Sequence, residues 1–143
     1  MIVDEFHGML RSTLQCKTCR LTASSFDAFQ TLALPIPSGP DGGSEGGGRG
    51  GTTATLGDCF DLFSAPEEVG GDDAWKCPKC KEHRTASKQV SIYNAPTSLV
   101  VQLKRFRCTR EGRRLKIEDA IRIPAVLDVA PYLAGKSSWY RVI

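Results

Sequence analysis

The chain is 143 residues long and 41% hydrophobic, enough for one domain with a modest core and too little for two well-packed ones. Its 19 Lys and Arg against 16 Asp and Glu leave a formal charge of +3, well short of the dense basic patches that nucleic-acid binders carry. The opening Met1-Ile2-Val3-Asp4-Glu5-Phe6-His7 sets acids where a secretory signal needs a basic region and an apolar run, and no later stretch is long enough to cross a bilayer. A soluble protein of the cytoplasm or nucleus, with no membrane partner, is expected.

From Phe6 to Cys16 the residues alternate with a period of two, so that Gly8, Leu10, Ser12 and Leu14 share a face, which predicts a strand. Leu21 to Phe29 and Thr31 to Ile36 predict two more, the second with Leu32, Leu34 and Ile36 facing one way and ended by Pro35 and Pro37. Residues 38–52 are dominated by Gly and cannot bury a core; they predict a flexible loop inserted within the domain, whose closure cost grows only with the logarithm of its length. Thr55-Leu56-Gly57-Asp58 resembles a capping box with Asp in the third position after Thr. Leu56, Cys59, Phe60 and Phe63 follow at helical spacing, so a short helix with that face buried is expected.

Residues 84 to 94 alternate as a strand with Ala86, Lys88, Val90 and Ile92 on one side, and Ser98 to Phe106 is the most apolar extended run, expected to lie centrally in a sheet. Glu111-Gly112 offers a turn between two short extended pieces. Further pieces follow, bounded by Pro124 and Pro131. Trp139 to Ile143 reads as a strand that stops in mid-run, as if the chain were cut there.

Six cysteines without an export signal belong to a reducing compartment, where thiolates more often hold metal or do catalysis than form structural disulfides. Cys16-Lys17-Thr18-Cys19 and Cys77-Pro78-Lys79-Cys80 each put two sulfurs on one tight turn, and two such turns make a closed four-sulfur site suited to structural zinc. Against this, residues 20–76 separate the pairs, several times the roughly 15–20 residues of a compact ribbon. A redox dithiol would need only one pair beside a strand–helix–strand pattern that the sequence does not display, and ordinary buried cysteines seldom come as two such units. Cys59 falls on the apolar face of the predicted helix and Cys108 among basic residues near a turn, neither beside a His or acid that would make it a nucleophile.

In order along the chain, several motifs together resemble the ubiquitin-specific proteases, the papain-like deubiquitinases shaped as fingers, palm and thumb. They are Phe6-His7-Gly8 ahead of the first cysteine pair, Ser25-Phe26-Asp27-Ala28-Phe29 with Leu32-Ala33-Leu34-Pro35-Ile36-Pro37, and Leu56-Gly57-Asp58-Cys59-Phe60. Next come Trp75-Lys76 into the second pair, Ala86-Ser87-Lys88-Gln89, Leu99-Val100-Val101-Gln102-Leu103-Lys104-Arg105-Phe106, Ile123-Pro124 with Leu127-Asp128-Val129, and Pro131-Tyr132. The similarity covers nearly the whole chain. It implies an α+β fold, mostly antiparallel β with few short helices, in which zinc-knuckle fingers and a partial palm sheet form part of a catalytic domain spanning residues 1–143.

That resemblance implies zinc held by Cys16, Cys19, Cys77 and Cys80 as a structural ion, and ubiquitin and ubiquitinated proteins as partners of a thiol protease that removes ubiquitin from conjugates. The family's nucleophile segment, Asn-x-x-x-x-Cys, and its histidine segment, Gly-His-Tyr, are not found in the chain, and His7 and His83 are expected near the surface. No catalytic residue is therefore assigned, and the chain alone is expected to be inactive. A non-catalytic ubiquitin-binding or scaffold module is the alternative. A zinc-ribbon nucleic-acid binder, suggested by Lys104, Arg105, Arg107, Arg110, Arg113, Arg114 and Lys116, is disfavoured because such clusters usually form solvated strand edges without stacking aromatics.

Overall fold

Nine residues, with Gly8, Leu10, Ser12, Leu14 and Cys16 on one face, make β1 (Gly8–Cys16), the strand on which the rest is hung. The computed structural model, which describes residues 5–37, 53–108, 112–134 and 139–141, pairs β1 antiparallel on both sides. One neighbour is β2 (Thr22–Phe29) and the other is β7 (Ala86–Asn94), with β4 (Glu67–Val69) beyond it. The sheet order is thus β2-β1-β7-β4. Gly8 faces Phe29 across the first ladder, and a Cβ there would overlap the Phe29 ring and the Pro96 ring, so only glycine lets the strand enter the sheet at this point.

The core lies at that same end. Leu32 and Leu34 of β3 (Thr31–Pro35) face the helix α1 (Leu56–Ser64), whose Leu56, Cys59 and Phe60 are buried, and Ile92, Leu127 and Val129 close the cluster. The helix begins as its sequence predicts: the Thr55 amide donates to Asp58 Oδ2 at 2.6 Å, and the Asp58 amide donates to Thr55 Oγ1 at 3.2 Å. Tyr132 stacks on Phe60 with ring centroids 5.0 Å apart and donates its hydroxyl to Asp61 Oδ1 at 2.7 Å, tying the C-terminal segment to the helix.

Three sequence expectations are corrected. The run 84–94 breaks at Thr85 into β6 (His83–Arg84) and β7, because β6 pairs with β5 (Trp75–Lys76) in a separate hairpin. The run 98–106 breaks at Arg105 into β8 (Val100–Lys104) and β9 (Phe106–Cys108). Nor is β8 central: among the described residues it pairs only with β3, in parallel, with Val100, Gln102 and Lys104 exposed and Val101 and Leu103 half-buried. The polar Gln102 and Lys104 make it a half-buried strand, since an apolar residue count says nothing about which faces are covered.

That parallel pair stands beside mostly antiparallel ladders. Its connection runs through α1 and then through β4 to β7. A hairpin of β9 and β10 (Arg114–Lys116) and a pair of β11 (Val126–Asp128) with β12 (Trp139–Arg141) complete the described elements, with Gly112 at φ 77° in the hairpin turn. The Gly-rich stretch 38–52 lies outside the described residues. No helix among the described residues is long and apolar enough to cross a membrane.

The fold rests on Phe60 and on the cap. Phe60→Ala is expected to cost about 3–5 kcal/mol and Thr55→Ala about 1 kcal/mol, read by urea denaturation followed by circular dichroism. The Thr55 amide and hydroxyl hold the Asp58 carboxyl below its usual pKa. Its contribution is therefore complete above the unfolded-state carboxylate pKa and lost as pH falls through the lower folded value, so Asp58→Asn should flatten that part of the acid-unfolding curve.

Candidate metal centre

Each cysteine pair sits where a hairpin turns. The first closes the turn between β1 and β2, and the second the turn between β5 and β6. The two turns are built alike. In the first, the Cys16 amide donates to Leu21 O at 2.9 Å and the Arg20 amide to Cys16 O at 3.0 Å. In the second, the Cys77 amide donates to Glu82 O at 3.0 Å and the Lys81 amide to Cys77 O at 2.8 Å. Both place the residue after the second cysteine in the left-handed region, Arg20 at φ 57° and Lys81 at φ 61°. Neither is glycine, so the sequence carried no sign of this conformation.

The β1–β7 ladder joins the two turns. Cys16 ends β1 opposite Ala86, the first residue of β7, and the Lys17 amide continues the ladder to Thr85 O at 3.1 Å. The hairpin carrying Cys77 and Cys80 ends just ahead of β7, so the register delivers the second pair to the first. The separation that argued against a common site in the sequence is taken up by β2, β3, α1 and β4 and the segments that join them, which run out and back.

The four sulfurs of Cys16, Cys19, Cys77 and Cys80 all lie within 4.8 Å of one another. Between the turns, Cys19 Sγ is 3.5 Å from Cys77 Sγ and Cys16 Sγ is 4.0 Å from Cys80 Sγ. An ion bound tetrahedrally at about 2.3 Å from each thiolate would set its sulfurs about 3.8 Å apart, so the cluster is sized to hold one metal ion. Cys16 and Cys77 are fully buried and Cys19 and Cys80 partly so.

Backbone amides of Cys19 and Thr18 donate to the Cys16 sulfur and, against the opposing effect of burial, bring its thiol down to about 6. Its hydrogen bond to Cys19, burial and the adjacent Cys77 and Cys16 sulfurs push Cys80 up to about 12. One thiolate is accommodated, and a second beside it is resisted unless a cation shares the space. The flanking Lys17, Arg20, Lys76, Lys79 and Lys81 are exposed, with Lys17 paired to Glu68 on β4, and the half-buried Arg84 lies 2.6 Å from Glu82.

The other sequence candidates stand apart from this cluster. All six cysteines are free. Cys59 is fully buried on the inner face of α1, where burial pushes its thiol up, and Cys108 is exposed at the end of β9. His83 is exposed and donates from Nδ1 to Ala74 O at 2.8 Å, whereas His7, expected at the surface, is half-buried with Nε2 3.2 Å from Gln30 Nε2. In the basic stretch, Arg105 is used inside the fold, its Nη1 donating to Ile117 O at 3.1 Å and Asp119 O at 2.9 Å. Lys116 lies 4.0 Å from Glu118.

With this arrangement in place, residues 1–140 match the family described as ubiquitin carboxyl-terminal hydrolase, and the chain belongs to that family. Among its relatives, ubiquitin carboxyl-terminal hydrolase 4 of Candida glabrata is 34% identical over 137 residues, which is 96% of this chain and 14% of that protein. The probable ubiquitin carboxyl-terminal hydrolase 4 of Schizosaccharomyces pombe is 36% identical over 135 residues, 92% of this chain and 21% of its own length. A solved structure of the SAGA DUB module with Ubp8 bound to monoubiquitin superposes with a TM-score of 0.78 at 29% identity, covering 98% of this chain and 29% of that one. A second, bound to ubiquitin aldehyde, gives 0.71 at 29% identity over 92% of this chain and 26% of that one. This chain therefore spans between about a seventh and less than a third of the proteins it matches.

The left-handed residues give a direct check on the turns. Lys81→Gly should raise stability by up to about 1 kcal/mol and Lys81→Val should lower it by about 1 kcal/mol, measured by thermal unfolding, since a β-branched side chain is strained at that φ and glycine is not.

Proposed function

We propose that this chain is the fingers and part of the palm of a ubiquitin-specific protease catalytic domain, clipped by a structural zinc ion and gripping ubiquitin. The observation that carries the reading is the convergence of four sulfurs from two like-built turns at the end of the long sheet farthest from the core. An all-sulfur donor set selects soft ions, and a closed four-thiolate site with no place for water suits zinc in a structural role. Bound there, the ion would neutralise the thiolates of Cys16, Cys19, Cys77 and Cys80 and cross-link the two turns.

The whole protein, by this reading, hydrolyses the bond after ubiquitin's C-terminal glycine in protein conjugates, in the cytoplasm or nucleus. Family membership and the ubiquitin-bound neighbours support it. Gripping the globular body of ubiquitin supplies binding energy that aligns its tail for cleavage elsewhere in the domain. Residues 1–143 form one partial domain with 38–52 as an insert, supported by the packing of β3 on α1 from either side of it. The chain alone does not cleave: four of its cysteines serve the metal cluster, Cys59 is enclosed in the core, and the exposed Cys108 would need a base within hydrogen-bond reach, whereas His7 sits beside Gln30 and His83 bonds Ala74.

Mass spectrometry of the purified chain should find about one zinc per chain, lost in Cys77→Ser. Isotope-labelled ubiquitin should show chemical-shift changes on adding the wild-type chain that weaken with Cys77→Ser, and a ubiquitin-amide reporter should stay uncleaved. A folded wild-type chain without zinc removes the site, absence of shift changes removes the grip, and reporter cleavage removes the inactivity.

A further inference from the structure

Of the two edges of the four-stranded sheet, among the described residues, one is short and defended by charge and the other is not. At one end of the four-stranded sheet, β4 spans three residues and carries Glu67 and Glu68, and in the β9–β10 hairpin β10 carries Arg114 and Lys116. These are the devices that keep strand edges from pairing with other chains. The opposite end of the sheet is β2, eight residues of Thr-Ala-Ser-Ser-Phe-Asp-Ala-Phe, with no Lys, Arg or Pro and an unbroken register to β1. Among the described residues no strand pairs with its outer side.

Which backbone groups point outward follows from the ladders. The Cys16 amide donates to Leu21 O, so even-numbered residues of β1 bond toward β2, and odd-numbered residues of β2 bond back. The Lys17 amide donating to Thr85 O fixes the same parity from the other side, with odd-numbered residues of β1 bonding toward β7. The outward N–H and C=O groups of β2 therefore belong to Thr22, Ser24, Phe26 and Ala28.

The geometry points to self-association of this chain through that edge, two copies of β2 pairing antiparallel about a two-fold axis at Ser25. That register alone pairs all four outward residues, Thr22 with the partner's Ala28 and Ser24 with the partner's Phe26, and reciprocally, giving about eight inter-chain hydrogen bonds. It is also free of charge conflict. Asp27, the only charged residue of β2, falls opposite the partner's Ala23. The half-exposed Phe26, which rests edge-on against Tyr93 at 4.9 Å, lies diagonal to the partner's Phe26, within reach of an aromatic pair. The product is one continuous eight-stranded sheet, ended on both sides by the Glu-bearing β4. Edge pairing leaves both faces of the sheet open, so it is independent of ubiquitin binding. A contact of two strands is small, and the association is of the transient, concentration-dependent kind.

Sedimentation equilibrium of the zinc-loaded chain over a rising concentration series tests this, with Ser25→Lys and Ser24→Pro alongside. Ser25→Lys sets two ammonium groups opposite each other at the dyad, and Ser24→Pro removes an outward N–H that the monomer does not use. The wild-type mass should climb from that of one chain toward that of two. Both variants, with unchanged circular dichroism and metal content, should associate more than about tenfold more weakly. A wild-type chain that stays monomeric throughout, or association that survives both substitutions undiminished, overturns the proposal.

Discussion

The register of β1 against β7 is the constraint on which the rest depends. Both strands are buried near their ends and only partly covered between: Gly8 and Cys16 are the buried residues of β1, Ala86 and Ile92 those of β7, beyond which Tyr93 and Asn94 are exposed. The pair is thus a bridge anchored twice, at one end in the cluster around Phe60 and at the other among the four cysteines. Shifting the register by one residue would turn Ile92 out of the core and swing Ala86 away from Cys16, undoing both anchors together.

The two anchors are of different chemical kinds because the molecule has material for only one apolar core. Near α1 there are large side chains from β3, β7 and the segment 127–133 to fill it. At the other end no second layer covers the sheet among the described residues, and Arg20, Lys76, Lys79, Lys81 and Glu82 around the turns are all exposed. A thin sheet in water loses the area term that holds a sandwich together. Four thiolates about a cation, in the proposed reading, would replace it with a few strong, directed bonds, which need no volume behind them.

Much of this was legible in the sequence where a local rule applies. The capping box at Thr55 and Asp58 is visible because both partners lie within one turn, and the alternation of Leu32, Leu34 and Ile36 because one face of β3 is buried. The cysteine pairs, through their own spacing, pointed to the cluster of four sulfurs that could hold a metal ion. What stayed hidden depends on partners distant in sequence. Nothing in Val100 to Lys104 says that the strand pairs in parallel with β3, and nothing in Arg105 says that its guanidinium clasps the carbonyls of Ile117 and Asp119 and is not offered to solvent. The left-handed residues were silent as well, since Arg and Lys stand where glycine would have given the turn away.

The parallel pair of β3 and β8 has a consequence for the order of assembly. The connection between them contains α1 and the hairpin bearing Cys77 and Cys80, while the first cysteine pair precedes β3. On a chain emerging from the ribosome, the hairpin of β1 and β2 can close early, yet neither its second ladder nor its four-cysteine cluster can form until Cys80 and then β7 have followed. Contacts of such long sequence separation are slow to form. The apolar strand β3 must likewise wait for β8. For that interval the nascent chain carries two unfinished edges and a pair of idle thiols, the state in which a β-rich chain is most open to capture by chaperones or by its own kind.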